Sequence, residues 1–139
     1  MRLAERVSRT DISGIRKVFD LVAALKNPCN LSIGQPDFDV PLEIQEAAIR
    51  AIRNGRNSYT QTQGAPDLRR ALLARLEGRY TEKQLLVTSA VSGGLCLAYL
   101  ALLDPGDEIL VPEPYFVMYK QLALMLGAKP VFYLSLIHI

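Results

Sequence analysis

From Leu85 to Leu134 short apolar runs alternate with helix-like stretches, and that alternation restricts the possible folds more than any other feature of the chain. "LLVT" (85–88) reads as a buried strand, "ILVP" (109–112) as a second one stopped by Pro112, and "KPVFYL" (129–134) as a third. Between them lie "LCLAYLALL", too rich in Leu and Ala for a strand, and "YFVMYKQLALML", a helix ending at Gly127. "DPGDE" is a turn by composition. Strand, helix, strand, helix, strand with short connections predicts an α/β fold: right-handed crossovers and a mainly parallel sheet with flanking helices.

The first half is more helical. Ile15, Val18, Phe19, Val22 and Leu25 fall at helical spacing between residues 13 and 26, with Asp11 or Ser13 as N-cap and Asn27 and Pro28 as the stop. "LSI" (31–33) is a short strand candidate, followed by the turn-rich "GQPDFDVP". A helix then starts near Leu42, with Asp39 as cap and Pro41 helping the start. Its inner face is Ile44, Ala48, Ala51 and Ile52, Glu46 and Arg50 pair outside, and Gly55 caps its end. After the polar loop "RNSYTQTQGAPD", Pro66 and Asp67 open another helix, with Leu68, Leu72 and Leu76 inward and Arg69, Arg70 and Arg75 mostly outward.

Composition excludes several classes. The chain has 139 residues, 50% hydrophobic and 22% charged, which suits one globular domain or a piece of one. A net charge of +2 without a Lys/Arg block argues against nucleic acid. "MRLAERVSRTD" has no apolar core for a secretory signal, and the run 95–103 is about half the length of a membrane span, so a cytoplasmic protein is expected. Cys29 and Cys96 have no metal-ligand spacing; Cys96 suits a small core position, and a disulfide between them is disfavoured in a cytosolic chain.

The most informative junction is "LLVTSAVSGG", where a strand meets a helix through small residues. In α/β folds ligands settle at the carboxyl ends of strands, against helix N-termini with unpaired N–H groups and a positive dipole end. A phosphate fits such a place. The Ser92 hydroxyl can add a donor, with Ser89 a weaker candidate, while Gly93 and Gly94 permit close packing of helix on sheet. Each glycine lowers helix propensity by about 1 kcal/mol. Small residues would equally allow a tight turn with no ligand. Neither the dinucleotide-binding nor the P-loop glycine pattern is present.

Four separated stretches, "LSIGQPDFDVP", "NSYTQTQGAPDLRRAL", "LLVTSAVSGG" and "LLDPGDEILVPEPYFVMY", resemble in order and spacing the N-terminal part of the class I/II aminotransferases. These are fold-type I enzymes that use pyridoxal 5'-phosphate. The resemblance runs from about Leu31 to Phe132. It implies an N-terminal arm and small-domain segment over 1–37 and an incomplete large, cofactor-binding domain over 38–133. It further implies that Ala90, Val91 and Ser92 cradle the cofactor phosphate. Many members have Gly at the position of Ala90, and a left-handed conformation there would strain Ala. By spacing alone Tyr115, Phe116 and Tyr119 read as core aromatics; the resemblance instead favours Phe116 as the residue stacked on the pyridine ring, and a one-residue slip would exchange it for Tyr115. Tyr59 matches a tyrosine reaching the partner's cofactor phosphate in a homodimer, and Gly34 a glycine beside the substrate carboxylate.

The same resemblance implies that the catalytic groups lie later in the sequence: a lysine bonding the cofactor aldehyde, a carboxylate on the pyridinium nitrogen and an arginine fork for the substrate. None of Lys17, Lys26, Lys83, Lys120 and Lys129 stands in the family's Ser-x-x-Lys context, so no catalytic residue is expected in this segment. "LSLIHI" (134–139) is the translation of CTG TCT CTT ATA CAC ATC, which resembles a sequencing-adapter end; these residues, with the sole histidine His138, are expected to be artefact. The resulting expectation is the leading part of an aminotransferase acting on an amino acid and a 2-oxo acid, with the fragment itself inactive. A lyase or synthase of the same fold is the near alternative. An effector-binding domain of a transcription regulator is the distant one, disfavoured because only about thirty residues, without a helix-turn-helix pattern, precede "LSIGQPDF".

Overall fold

The computed structural model describes residues 2–10, 14–23, 25–29, 31, 34 and 36–138. The chain forms two compact units: Met1–Asn30 with Thr88–Ile139, and Leu31–Val87.

The first unit is organised around a βαβ element. β1 (Glu108–Glu113) and β2 (Lys129–Leu134) pair in parallel, in register from Glu108 with Lys129 to Glu113 with Leu134, joined by α6 (Val117–Leu126). Val111, Leu122, Ala123 and Ala128 form the buried core of the described residues where α6 packs on these strands. Pro112 lies within β1, paired with Tyr133, and does not stop it. In a two-stranded sheet each strand keeps an open edge, where a residue without an N–H is tolerated. α6 ends as expected at Gly127 (φ +80°): Ala128 N–H donates to Ala123 O and Gly127 N–H to Leu124 O, a Schellman pair. The turn 104–107 packs on that end, with Gly106 N–H donating to Gly127 O at 2.9 Å.

α5 (Ala90–Leu102) packs on α6. The segment 85–88 before it is extended at Leu85 but joins no strand; Val87 N–H donates to Gln63 O at 3.0 Å, and no ladder of bonds to a neighbouring strand forms among the described residues. The expected first strand is therefore absent from the sheet, since apolar extended chain becomes a strand only beside a paired neighbour. α1 (Glu5–Ser8) contacts α6, and α2 (Gly14–Val22) stops short of Lys26. The apolar side chains of α2 share a face as predicted, yet Ile15, Val18 and Phe19 remain about half exposed. Asp11, Ser13 and most of "LSI" lie outside the described residues. No described helix is long and apolar enough to cross a membrane.

The second unit holds α3 (Leu42–Arg53), α4 (Pro66–Arg75) and a 3₁₀ turn (Glu82–Gln84). α3 starts at Pro41 without a side-chain cap, so Asp39 does not cap it; Gln45 Nε2 instead donates back to Val40 O. Its end is as expected: Gly55 (φ +69°) allows Arg56 N–H to reach Ala51 O and Gly55 N–H to reach Ile52 O. Arg50 and Glu46 pair at 3.3 Å.

α4 departs from its expected facing. Leu68 and Leu72 are partly exposed, whereas Arg69 is buried. Arg69 donates to Glu82 O and pairs with Glu82 Oε1 at 3.3 Å, tying α4 to the 3₁₀ turn. Helical spacing identifies which residues share a face, not which face a neighbour covers.

Candidate active site

The junction at Thr88 is a tight, internally bonded turn. Ser89 has φ −73° and ψ 75°, the geometry of an inverse γ-turn, closed by Ala90 N–H donating to Thr88 O at 2.9 Å. The Thr88 hydroxyl donates to Ala90 O at 3.0 Å. Ala90 itself is left-handed, φ +57°, the conformation that strains an alanine. Gly93 N–H then donates to Ser89 O at 3.2 Å and the helix proceeds.

Two backbone donors remain. Among the described residues, no partner is found for the N–H groups of Val91 and Ser92, and Ser89 gives no side-chain cap. Val91 is exposed and Ser92 half-buried. No acidic residue occupies the first turn of α5, so nothing there repels an anion. The glycines serve this turn more than the sheet: a Cβ on Gly93 would lie 3.1 Å from Ser89 Cβ, and one on Gly94 3.2 Å from Thr88 Oγ1.

Phe116 stands at the N-cap of α6, following the carboxyl end of β1, because the helix begins at Val117 and not at Tyr115. Its ring stands perpendicular to that of Tyr119 (5.9 Å, 81°), and the residue is 45% exposed. Tyr115 is committed elsewhere, stacked on Phe132 at 5.2 Å. On α5, partial burial, and secondarily Tyr119, raise the pKa of Tyr99 above the ordinary phenol value.

Tyr59 and Gly34 belong to the second unit. Tyr59 projects fully into solvent from its loop. Gly34 is exposed, with no atom within 4 Å of where a Cβ would sit. The structure thus brings Ala90, Val91 and Ser92 into one turn and places Phe116 on the helix packed beside α5. Sequence reasoning overlooked Thr88, whose signal was a hydrogen-bonding β-branched residue at the last position before the small-residue turn. Both cysteines are free, Cys96 half-buried and Cys29 exposed, and no metal-binding cluster occurs among the described residues.

A parallel βαβ unit with a further helix packed on it, whose start carries two unpartnered N–H groups, defines part of an α/β protein. The chain belongs to the aminotransferase class I and II family, whose model matches residues 26–136. It is 38% identical over 133 residues to an aspartate aminotransferase of Pyrococcus horikoshii, covering 93% of this chain and 34% of that protein. An aspartate/prephenate aminotransferase of Nitrosomonas europaea is 37% identical over 140 residues, covering 95% and 35%. Among solved structures, an alanine aminotransferase from Pyrococcus furiosus superposes with TM-score 0.87 at 36% identity, over 97% of this chain and 37% of that one. The aspartate aminotransferase from Thermus thermophilus with maleate gives 0.87 at 32%, over 99% and 38%. The chain spans about a third of the length of these relatives. The fold is that of the fold-type I enzymes, which depend on pyridoxal phosphate.

Proposed function

We propose that this chain is the cofactor-cradling portion of a pyridoxal-phosphate-dependent aminotransferase, which transfers an amino group between an amino acid and a 2-oxo acid. The observation that carries the reading is the pair of unpartnered N–H groups on Val91 and Ser92, at a helix start without a carboxylate. With the Ser92 hydroxyl they would hold the cofactor phosphate, and Ala90 would shape the turn. The half-exposed Phe116 would lie against the pyridine ring; the stack of Tyr115 on Phe132 favours Phe116 over its neighbour for this role. Pyridoxal phosphate, when bound, supplies an electron-accepting ring that eases removal of a proton from the substrate's α-carbon. In the same reading Tyr59 reaches the phosphate held by a partner subunit of a cytoplasmic homodimer, and Gly34 lies beside the substrate carboxylate. The full exposure of Tyr59 supports a residue aimed outward. Residues 1–37 would form the arm and small-domain segment, and 38–133 part of the large domain.

Titration of the chain with pyridoxal 5'-phosphate, followed by fluorescence, tests this. Saturable binding is expected, displaced by inorganic phosphate and much weaker for unphosphorylated pyridoxal, with no absorbance of a stable imine. Phe116→Leu should weaken it by roughly 0.5–1.5 kcal/mol, the worth of an aromatic stack, while Tyr115→Leu should mainly lower the melting temperature. Equal affinity for pyridoxal and its phosphate would overturn the assignment.

A further inference from the structure

We propose that Thr88 is a positioning residue: it holds Ala90 left-handed and thereby keeps the N–H groups of Val91 and Ser92 directed at an anion. The proposal rests on the reading of the start of α5 as the phosphate seat. Ala90 has φ +57°, a region where an L-residue's Cβ crowds the following carbonyl. An unrestrained alanine favours negative φ, so something must hold this one. Thr88 grips it at both ends. The Thr88 carbonyl accepts the Ala90 N–H at 2.9 Å, and the Thr88 hydroxyl donates to the Ala90 carbonyl at 3.0 Å.

The surroundings are shaped to the same clamp. A side chain on Gly94 would press on Thr88 Oγ1 from 3.2 Å, so the first turn of α5 leaves that oxygen its room. The dihedrals of Ala90 set the orientation of the next peptide plane, which carries the Val91 N–H. Should Ala90 rotate to negative φ, the two donors would lose their arrangement. Apparent affinity falls with the fraction of chains in the competent conformation. This chain thus carries an alanine gripped at both ends.

A double-mutant cycle on the full chain tests the clamp, with binding of pyridoxal 5'-phosphate and of inorganic phosphate as readouts. Thr88→Val keeps the shape but removes the hydroxyl, and should weaken both ligands about tenfold. Thr88→Ser should restore most of the loss. In an Ala90→Gly background Thr88→Val should change affinity by less than about twofold, because glycine adopts positive φ unaided. Residual dipolar couplings report the sign of φ at residue 90 in each protein. Equal losses in both backgrounds, or a left-handed Ala90 persisting in Thr88→Val, overturn the clamp. If no variant and not even the parent chain binds either ligand, the phosphate seat itself is wrong, and the couplings still decide whether Thr88 holds Ala90.

Discussion

Arg69 and Arg70 are adjacent on α4 and have opposite surroundings. Arg70 pairs with Asp67 on the exposed side of the helix, where solvent screens the attraction. Arg69 is 6% exposed, and its bond to the Glu82 carbonyl is partly buried. Its Nε has no hydrogen-bond partner among the described residues. A hydrogen bond from a charged donor contributes about 1.5–3 kcal/mol when the acceptor is otherwise left bare. Arg69→Met should therefore lower the free energy of urea unfolding by about 2 kcal/mol, and Arg70→Met by less than about 1 kcal/mol. Equal effects of the two substitutions would show that the burial of Arg69 carries no energetic weight. The contrast was illegible in the sequence, because the charge pattern of "LRRAL" is the same for either facing.

Turns between elements show how two glycines of positive φ can differ. Gly55 closes α3 at φ +69° with open space where a Cβ would go. Alanine there meets only the backbone penalty, about 1 kcal/mol. Gly64, at φ +109°, faces Val87: a Cβ would lie 2.6 Å from Val87 Cγ2. That contact sits beside the Val87 N–H to Gln63 O bond, which ties the segment before Thr88 to the loop after Tyr59. Gly64→Ala adds overpacking of about 1–3 kcal/mol to the backbone strain. Thermal melts should show the larger drop for Gly64→Ala and a smaller one, of a few degrees, for Gly55→Ala; the reverse order would refute this account of the loop.

Across the whole molecule, much apolar surface faces water. On α3, Ile44 and Ile52 are 59% and 66% exposed, although their spacing with Ala48 and Ala51 marks one continuous face. Apolar faces of this kind drive association. The chain should therefore sediment with a weight that rises with concentration, and Ile44→Glu with Ile52→Lys should reduce that rise while leaving helical circular dichroism unchanged. A concentration-independent monomer from the parent chain would count against it.

The helices α3, α4 and α6, the parallel pairing of β1 with β2, and the Gly55 and Gly127 stops were all readable from the chain. Each depends on local rules: the spacing of apolar residues, proline at a start, glycine where φ must be positive. The turn before α5 was readable too, through small side chains between an extended run and a helix. Tertiary structure alone decided the rest. It buried Arg69 in place of Leu68, left "LLVT" outside the sheet, and gave Tyr115 to Phe132 while Phe116 stayed open. It also set Ala90 left-handed under Thr88. The physical reason is common to these cases: periodicity is a property of one segment, whereas facing, strand pairing and strain depend on which neighbour arrives beside it.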